Sequence, residues 1–253
     1  MTIVMKFGGT SVGNSQRINQ TCEIIISRIH QDPVVVVSAV GGVTDMLIDG
    51  ARSISISERS VDEVMNDIIT KHDMILKELE IDRNLLDDLF DSLKDTYYSL
   101  SRLSAENMDL ITSFGERMSS RIVSANINRL GFQASYHPAY SLGMLTDNKF
   151  GDAQPLNIAY QKINENLQNI KGIPVITGFI GKNLDGRITT LGRGGSDFTA
   201  AIVGASINAE EIQIWTDVDG VMTTDPKICS NVQQISEMTF NEAAELAYFG
   251  AKV

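Results

Sequence analysis

The sequence predicts an α/β fold with a mainly parallel sheet, and three observations carry that expectation. Thr2 to Phe7, with Ile3-Val4-Met5 at its centre, reads as a short buried strand that stops at the glycine turn Gly8-Gly9. Ser15 to His30 then sets apolar residues at Ile18, Cys22, Ile25, Ile26 and Ile29, which is helical spacing. Pro33 stops that helix, and Val34-Val35-Val36-Val37 is an unbroken β-branched run, the pattern of a central strand covered on both faces. Strand, helix and strand in that order form a parallel βαβ unit with a right-handed crossover. Ligands of such sheets collect beyond the carboxyl ends of the strands, where Lys6-Phe7-Gly8-Gly9 and Ser38-Ala39-Val40-Gly41-Gly42 both lie.

From about Thr44 to Leu103 the chain is rich in Asp, Glu, Leu, Ile and Ser and shows no strand-like alternation. That stretch predicts several polar-faced helices packed on the rim, a helical insertion with a structural or partner-binding role. Asp109 to Leu130 reads as a further helix ended by Gly131. In the second half, Ile173 to Ile180 is expected as a strand, Lys182 to Gly186 as a hairpin turn, and Arg187 to Leu191 as its return. Ser196 to Ile207 reads as a helix and Glu211 to Thr216 as a strand. Thr239 to Phe249 reads as a helix opened by a Thr239/Glu242 capping box. No Pro/Gly/Ser linker divides the halves, so residues 1–253 are expected to form one domain with two lobes.

Composition excludes several classes. A formal charge of −11 argues against nucleic acid as a partner, because phosphate backbones attract basic faces. Any anionic ligand must be held by local cations and backbone N–H groups against that field. Cys22 and Cys229 lack CxxC or His spacing and read as ordinary thiols of a reducing compartment. His30, His72 and His137 have no ligand-like spacing, which argues against a zinc site. No apolar run approaches the ~20 residues that span a bilayer, and no charged-then-apolar leader precedes Ile3, so a cytoplasmic location is expected.

Two glycine-rich runs carry the chemistry. Leu191-Gly192-Arg193-Gly194-Gly195-Ser196-Asp197 opens into a helix and presents a cation, a hydroxyl and a carboxylate where unpaired N–H groups and a positive dipole end favour anions. Lys6-Phe7-Gly8-Gly9-Thr10-Ser11-Val12-Gly13 follows the first strand. Two anion cradles of different make suggest two anionic ligands meeting, as in phosphoryl transfer. A Walker loop is excluded, because no Gly-x-x-x-x-Gly-Lys-Ser/Thr occurs.

Single residues leave two readings each. Lys6 either meets an anion or snorkels to water from the strand end. Asp197 either orients the Lys6 ammonium or makes an ordinary first-turn dipole contact. Arg193 suits an acceptor carboxylate bidentately, or is an exposed turn residue. Glu116 needs a cation, either from a ligand ammonium or from Arg117 or Arg121 on its own helix. Trp215-Thr216-Asp217 through Asp225-Pro226-Lys227 either holds ribose and phosphates or is loop punctuation. Phe179 and Phe198 are expected in the core.

Six runs in this order resemble the aspartokinase branch of the amino-acid kinase family. They are Lys6-Phe7-Gly8-Gly9-Thr10-Ser11, Val36-Val37-Ser38-Ala39 with Thr44, Ser113-Phe114-Gly115-Glu116-Arg117, Gly178-Phe179-Ile180-Gly181, Thr189 to Asp197, and Trp215-Thr216-Asp217 through Asp225-Pro226. The resemblance implies a three-layer α/β/α sandwich, with a mainly amino-acid-binding lobe over 1–172 and a mainly nucleotide-binding lobe over 173–253. The helical region of the first lobe covers 44–108. It further implies ATP-dependent phosphorylation of the L-aspartate side chain, giving 4-phospho-L-aspartate for lysine, threonine and methionine synthesis. Magnesium would be carried mainly by phosphates and water, with no protein metal cage.

By position, the resemblance makes Lys6 and Asp197 the catalytic pair. It places Ser38, Ala39, Thr44, Glu116, Arg193 and Ser196 around aspartate, with Glu116 on the ammonium and Arg193 on the α-carboxylate. Lys6, Gly8, Gly9, Ser11, Thr216, Asp217, Met222, Asp225, Lys227 and Lys252 would face the nucleotide. Met222 stands where relatives often carry tyrosine, and Lys227 where they commonly carry arginine. Relatives continue toward regulatory ACT modules, and none is expected within these 253 residues. A homo-oligomer such as a dimer follows by family analogy. The alternatives are a kinase of glutamate, acetylglutamate or another small acceptor, and a non-catalytic ligand-binding regulatory subunit.

Overall fold

The computed structural model describes residues 2–217, 220–224 and 231–248. The chain divides into two compact units, Met1–Trp215 and Thr216–Val253. The lobe division expected at 172/173 therefore falls inside the first unit.

In the first unit, strand β1 (Ile3–Phe7) leads to helix α1 (Ser15–Ser27), whose first turn is capped by Asn14 accepting the Arg17 N–H. The helix ends short of His30. A 3-10 turn over Ile29–Gln31 follows, and Asp32 adopts φ 45°, releasing the chain into β2 (Pro33–Val37). Pro33 fits there because the first residue of a strand tolerates a missing donor.

Helices α2 (Val43–Ser55), α3 (Val61–Glu78) and α4 (Asp87–Tyr98) make up the insertion, and α5 (Ala105–Arg129) follows. Next come β3 (Ala134–His137), the two-residue β4 (Leu145–Thr146) and α6 (Asn157–Leu167). The unit closes with β5 (Ile173–Thr177), β6 (Ile180–Asn183), β7 (Ile188–Thr190), α7 (Gly195–Ile207) and β8 (Glu211–Trp215).

Five strands form a wholly parallel sheet in the order β3-β5-β2-β1-β8, so the valine run is the central strand. Its alternate residues feed two cores. Val35 and Val37, with Met5 and Phe7, pack under α1 to α5, while Val34 and Val36, with Val4, pack under α6 and α7. This is the expected three-layer sandwich. The insertion helices are amphipathic, and Leu47, Ile68, Leu89 and Tyr97 extend the larger core rather than merely capping a rim.

One expected strand is two. The run Ile173 to Ile180 breaks at Gly178-Phe179, where Phe179 takes φ 67°, uncommon for a bulky residue. β6 leaves the central sheet and pairs with β4 and β7 in a separate three-stranded sheet. Lys182 and Asn183 therefore belong to a strand, and the reversal runs over Leu184–Arg187.

Helix α8 (Phe240–Tyr248), in the second unit, carries the expected capping box. The Thr239 N–H donates to Glu242 Oε2 at 2.7 Å and the Glu242 N–H donates to Thr239 Oγ1 at 3.3 Å. Phe249 lies outside the described residues. Among those described, no helix is long and apolar enough to cross a membrane. Cys22 is a buried free thiol, and Cys229 lies outside the described residues.

Candidate active site

The carboxyl ends of β1, β2 and β5 and the first turn of α7 surround a cavity of about 430 Å³. Lys6, Gly9, Ser38, Ala39, Thr44, Glu116, Arg193, Ser196 and Asp197 all line it. Every residue expected to be catalytic or to bind the acceptor thus converges on one cleft from four separate stretches of sequence. A cavity of about 510 Å³, lined by Thr2, Pro33, Ile173 and Pro174 from the opposite strand ends, carries only Asp32 as a charged group. It offers an anionic ligand no cation.

Lys6 comes from β1, an interior strand of the sheet, and its side chain is 10% exposed. Its Nζ lies 2.7 Å from Asp197 Oδ1, whose side chain is 50% exposed. Asp197 stands in the first turn of α7, so it is also favoured by the helix dipole. The ion pair leaves the lysine with donor capacity facing the cleft. Gly8 follows closely, since a Cβ there would sit 3.6 Å from Lys6 Nζ. The Gly8 N–H donates to Trp215 O at 3.3 Å, which fixes the loop to the end of β8.

Glu116 projects from α5 and is 3% exposed. Its Oε1 accepts the Ala39 N–H at 3.2 Å, and Oε2 is buried without a partner. Burial outweighs the opposing backbone N–H contacts of Glu116 itself and Ala39 and pushes the carboxyl pKa up to about 8. The intrahelical partners are engaged elsewhere. Arg117 lies over the Phe114 ring, while Arg121 pairs with Asp88 and lies over Tyr136. Glu116 thus lines the cleft with a buried carboxyl oxygen that no cation among the described residues meets.

The glycine turn is built by close approach. Gly192 and Gly194 have φ 76° and 71°, and α7 begins at Gly195. A Cβ on Gly178 would lie 2.6 Å from Ser196 Cβ, so the end of β5 and the start of α7 touch backbone to side chain. Arg193 is exposed and makes no ion pair among the described residues. Phe179 is not core. It lines the cleft, and its ring occupies the space beside Gly195. Phe198, 36% exposed, also lies outside the core, because it sits on the outer side of the first turn of α7.

Ser11 donates from Oγ to Trp215 O at 3.5 Å, and its N–H donates to Gly8 O at 3.0 Å. In the second unit, Thr216 Oγ1 donates to Asp217 Oδ1 at 3.1 Å and Met222 forms an antiparallel bridge with Gln234. Asp225, Lys227 and Lys252 lie outside the described residues. Two contributors escape sequence reasoning. Asp45 lines the cleft from α2, and Lys71 of α3 donates to Gly41 O at 2.7 Å, tying the insertion to the loop after β2. Neither has a motif, since both look like ordinary charges on polar helix faces.

Strand ends of a parallel sheet that present Lys6, a helix start that presents Asp197, and two glycine-rich turns make up an anion-binding cleft on an α/β/α sandwich. The chain belongs to the Amino acid kinase family, which it matches over residues 1–253. It is 37% identical to the chloroplastic aspartokinase 1 of Arabidopsis thaliana, an alignment covering 100% of this chain and 46% of that protein. It is 35% identical to the lysine-sensitive aspartokinase 3 of Escherichia coli (strain K12), over 99% of this chain and 57% of that one. The crystal structure of E. coli aspartokinase III in complex with aspartate and ADP (R-state) superposes with a TM-score of 0.88 at 34% identity, over 99% of this chain and 57% of that one. The chain spans about half the length of the relatives it matches.

Proposed function

We propose that the protein is an aspartate kinase, transferring the γ-phosphoryl group of ATP to the side-chain carboxylate of L-aspartate. The observation that carries this reading is the pairing of two opposed grips in one cleft: the unpartnered Oε2 of Glu116 and the unpaired guanidinium of Arg193. A ligand bearing both an ammonium and an α-carboxylate suits them, and an α-amino acid has both. The likeness to aspartokinases along the whole chain supports aspartate over other amino acids.

The acceptor carboxylate has an ordinary pKa of ~3.9 and is already ionised at neutral pH, so no general base is needed. One of its oxygens forms a bond to the γ-phosphorus while the bond to the β–γ bridging oxygen breaks, and ADP leaves with that electron pair. The protein's work is alignment and neutralisation of crowded negative charge. Lys6, held by Asp197, faces the transferring group. The Gly9 N–H and the Ser196 and Asp197 N–H groups at the α7 start line the phosphates and the acceptor, the Gly8 N–H being engaged by Trp215 O. Magnesium enters with ATP as part of the nucleotide substrate, keeping phosphate and water ligands.

ADP release measured with L-aspartate and with L-glutamate tests the reading. Turnover on aspartate at least about 100-fold above glutamate is expected, since one methylene displaces the reacting oxygen from line. Turnover on glutamate alone would move the protein to a sister activity. Ligand binding with no turnover on either would make it a regulatory subunit.

A further inference from the structure

We propose that Asp109 is a positioning residue for the acceptor end of the cleft, holding the strand end that presents Arg193 from the same helix that presents Glu116. Asp109 lies near the start of α5 and is 3% exposed. Its Oδ2 accepts the N–H groups of Gly151 and Thr190, each at 2.9 Å, and its Oδ1 accepts from Thr190 Oγ1 at 2.7 Å. No cation pairs with it among the described residues. Neutral donors alone hold a buried carboxylate, which is a costly means of fastening a loop unless its position matters.

What it fastens is the base of the glycine turn. Thr190 is the last residue of β7, and Leu191, Gly192 and Arg193 follow at once. The Ala153 N–H donates to Thr190 O at 2.9 Å, completing a brace on both sides of that residue. Gly192 closes against the same loop, since a Cβ there would lie 3.0 Å from Asp152 Oδ1 and 3.2 Å from Gly151 O. Seven residues along α5, about 10 Å at ~1.5 Å per residue, Glu116 reaches the cleft. One rigid helix therefore sets the separation of the two groups that grip opposite ends of the acceptor. This inference rests on the acceptor reading of Arg193 and Glu116 given above.

The experiment compares Asp109→Leu and Asp109→Asn in the full chain. Leucine has a similar shape and accepts nothing. Asparagine keeps one oxygen for the two N–H groups and turns its amide to donate to Thr190 Oγ1. In D109L the KM for L-aspartate should rise at least about 10-fold, with kcat and the KM for ATP within about 3-fold of the unsubstituted protein. D109N should restore the aspartate KM to within about 3-fold. Hydrogen exchange at Ile188–Leu191 should accelerate in D109L while Val34–Val37 stays protected. If D109L does not fold, Thr190→Val, which removes only the hydroxyl donor, should give the same KM split with smaller amplitude.

A parallel rise in both KM values, or an unchanged aspartate KM, would overturn the role of Asp109. Absence of aspartate turnover in the unsubstituted protein would instead overturn the acceptor reading on which that role rests.

Discussion

Lys6 Nζ and Asp197 Oδ1 stand 2.7 Å apart, one from the sheet interior and one from a helix start in the later half of the chain. Because Asp197 is half exposed, the pair contributes little stability, about 0–1 kcal/mol after screening. Its value is geometric. Asp197→Asn should lower kcat about 100-fold by letting the ammonium wander by about 1 Å, with the urea midpoint almost unmoved. Lys6→Met, which keeps the buried stem, should lower kcat about 100- to 1,000-fold, and unchanged activity would remove Lys6 from the reaction.

Glu116 makes stability depend on pH, and in the proposed acceptor site it would make aspartate binding do so too. Folding raises its pKa from 4.5 to about 8, so between those values the native state keeps a proton that the unfolded chain has lost. The contribution is therefore full below the lower value and disappears as pH rises through the upper one. Glu116→Gln should flatten the decline of melting temperature across that window. The same variant should raise the aspartate KM about 100-fold, because an amide cannot pair with an ammonium. Calorimetry in buffers of different ionisation heat should show about one proton released per aspartate bound near neutral pH.

Gly178→Ala tests the contact between β5 and α7. The added methyl would meet Ser196 Cβ at 2.6 Å and Ser196 Cα at 3.0 Å, neither of which can swing away cheaply. A loss of about 1–3 kcal/mol in chemical denaturation is expected, together with weaker acceptor binding as Ser196 moves.

Tyr97→Phe tests the insertion. The buried Tyr97 hydroxyl donates to Leu47 O at 3.0 Å, joining α4 to α2. Loss of about 1 kcal/mol is expected from urea unfolding, with turnover unchanged because neither residue reaches the cleft.

What the sequence makes legible follows from burial. The β2 run is apolar on both faces, and β1 is so except for Lys6, because helices cover both faces, and such runs are hard to mistake. Strand β3, Ala-Ser-Tyr-His, lies at the sheet edge and is half polar, so it carries no such mark. Strand β4 has two residues, and α6 buries only Ala159 and Ile163, too thin a stripe to stand out. The break at Phe179 is invisible because the ring packs beside Gly195, a contact between distant segments. The residues that line the cleft were legible as an ordered set, whereas Glu116 alone was ambiguous: only the structure shows Arg117 and Arg121 occupied elsewhere. Asp109 gave no signal, since its partners are backbone groups of a loop and a strand end.

The strand order has a consequence for synthesis on the ribosome. The outer edge of β1 is matched to β8, Ile3 beside Glu211 and Phe7 beside Trp215. At about 5–20 residues per second, that edge waits roughly 10–40 s for a partner that is translated some 200 residues later. Throughout that interval a short ribbon, apolar except for Lys6, stands open to any neighbouring nascent chain. The yield of active protein should therefore be governed by crowding and chaperone supply during translation more than by the stability of the finished molecule.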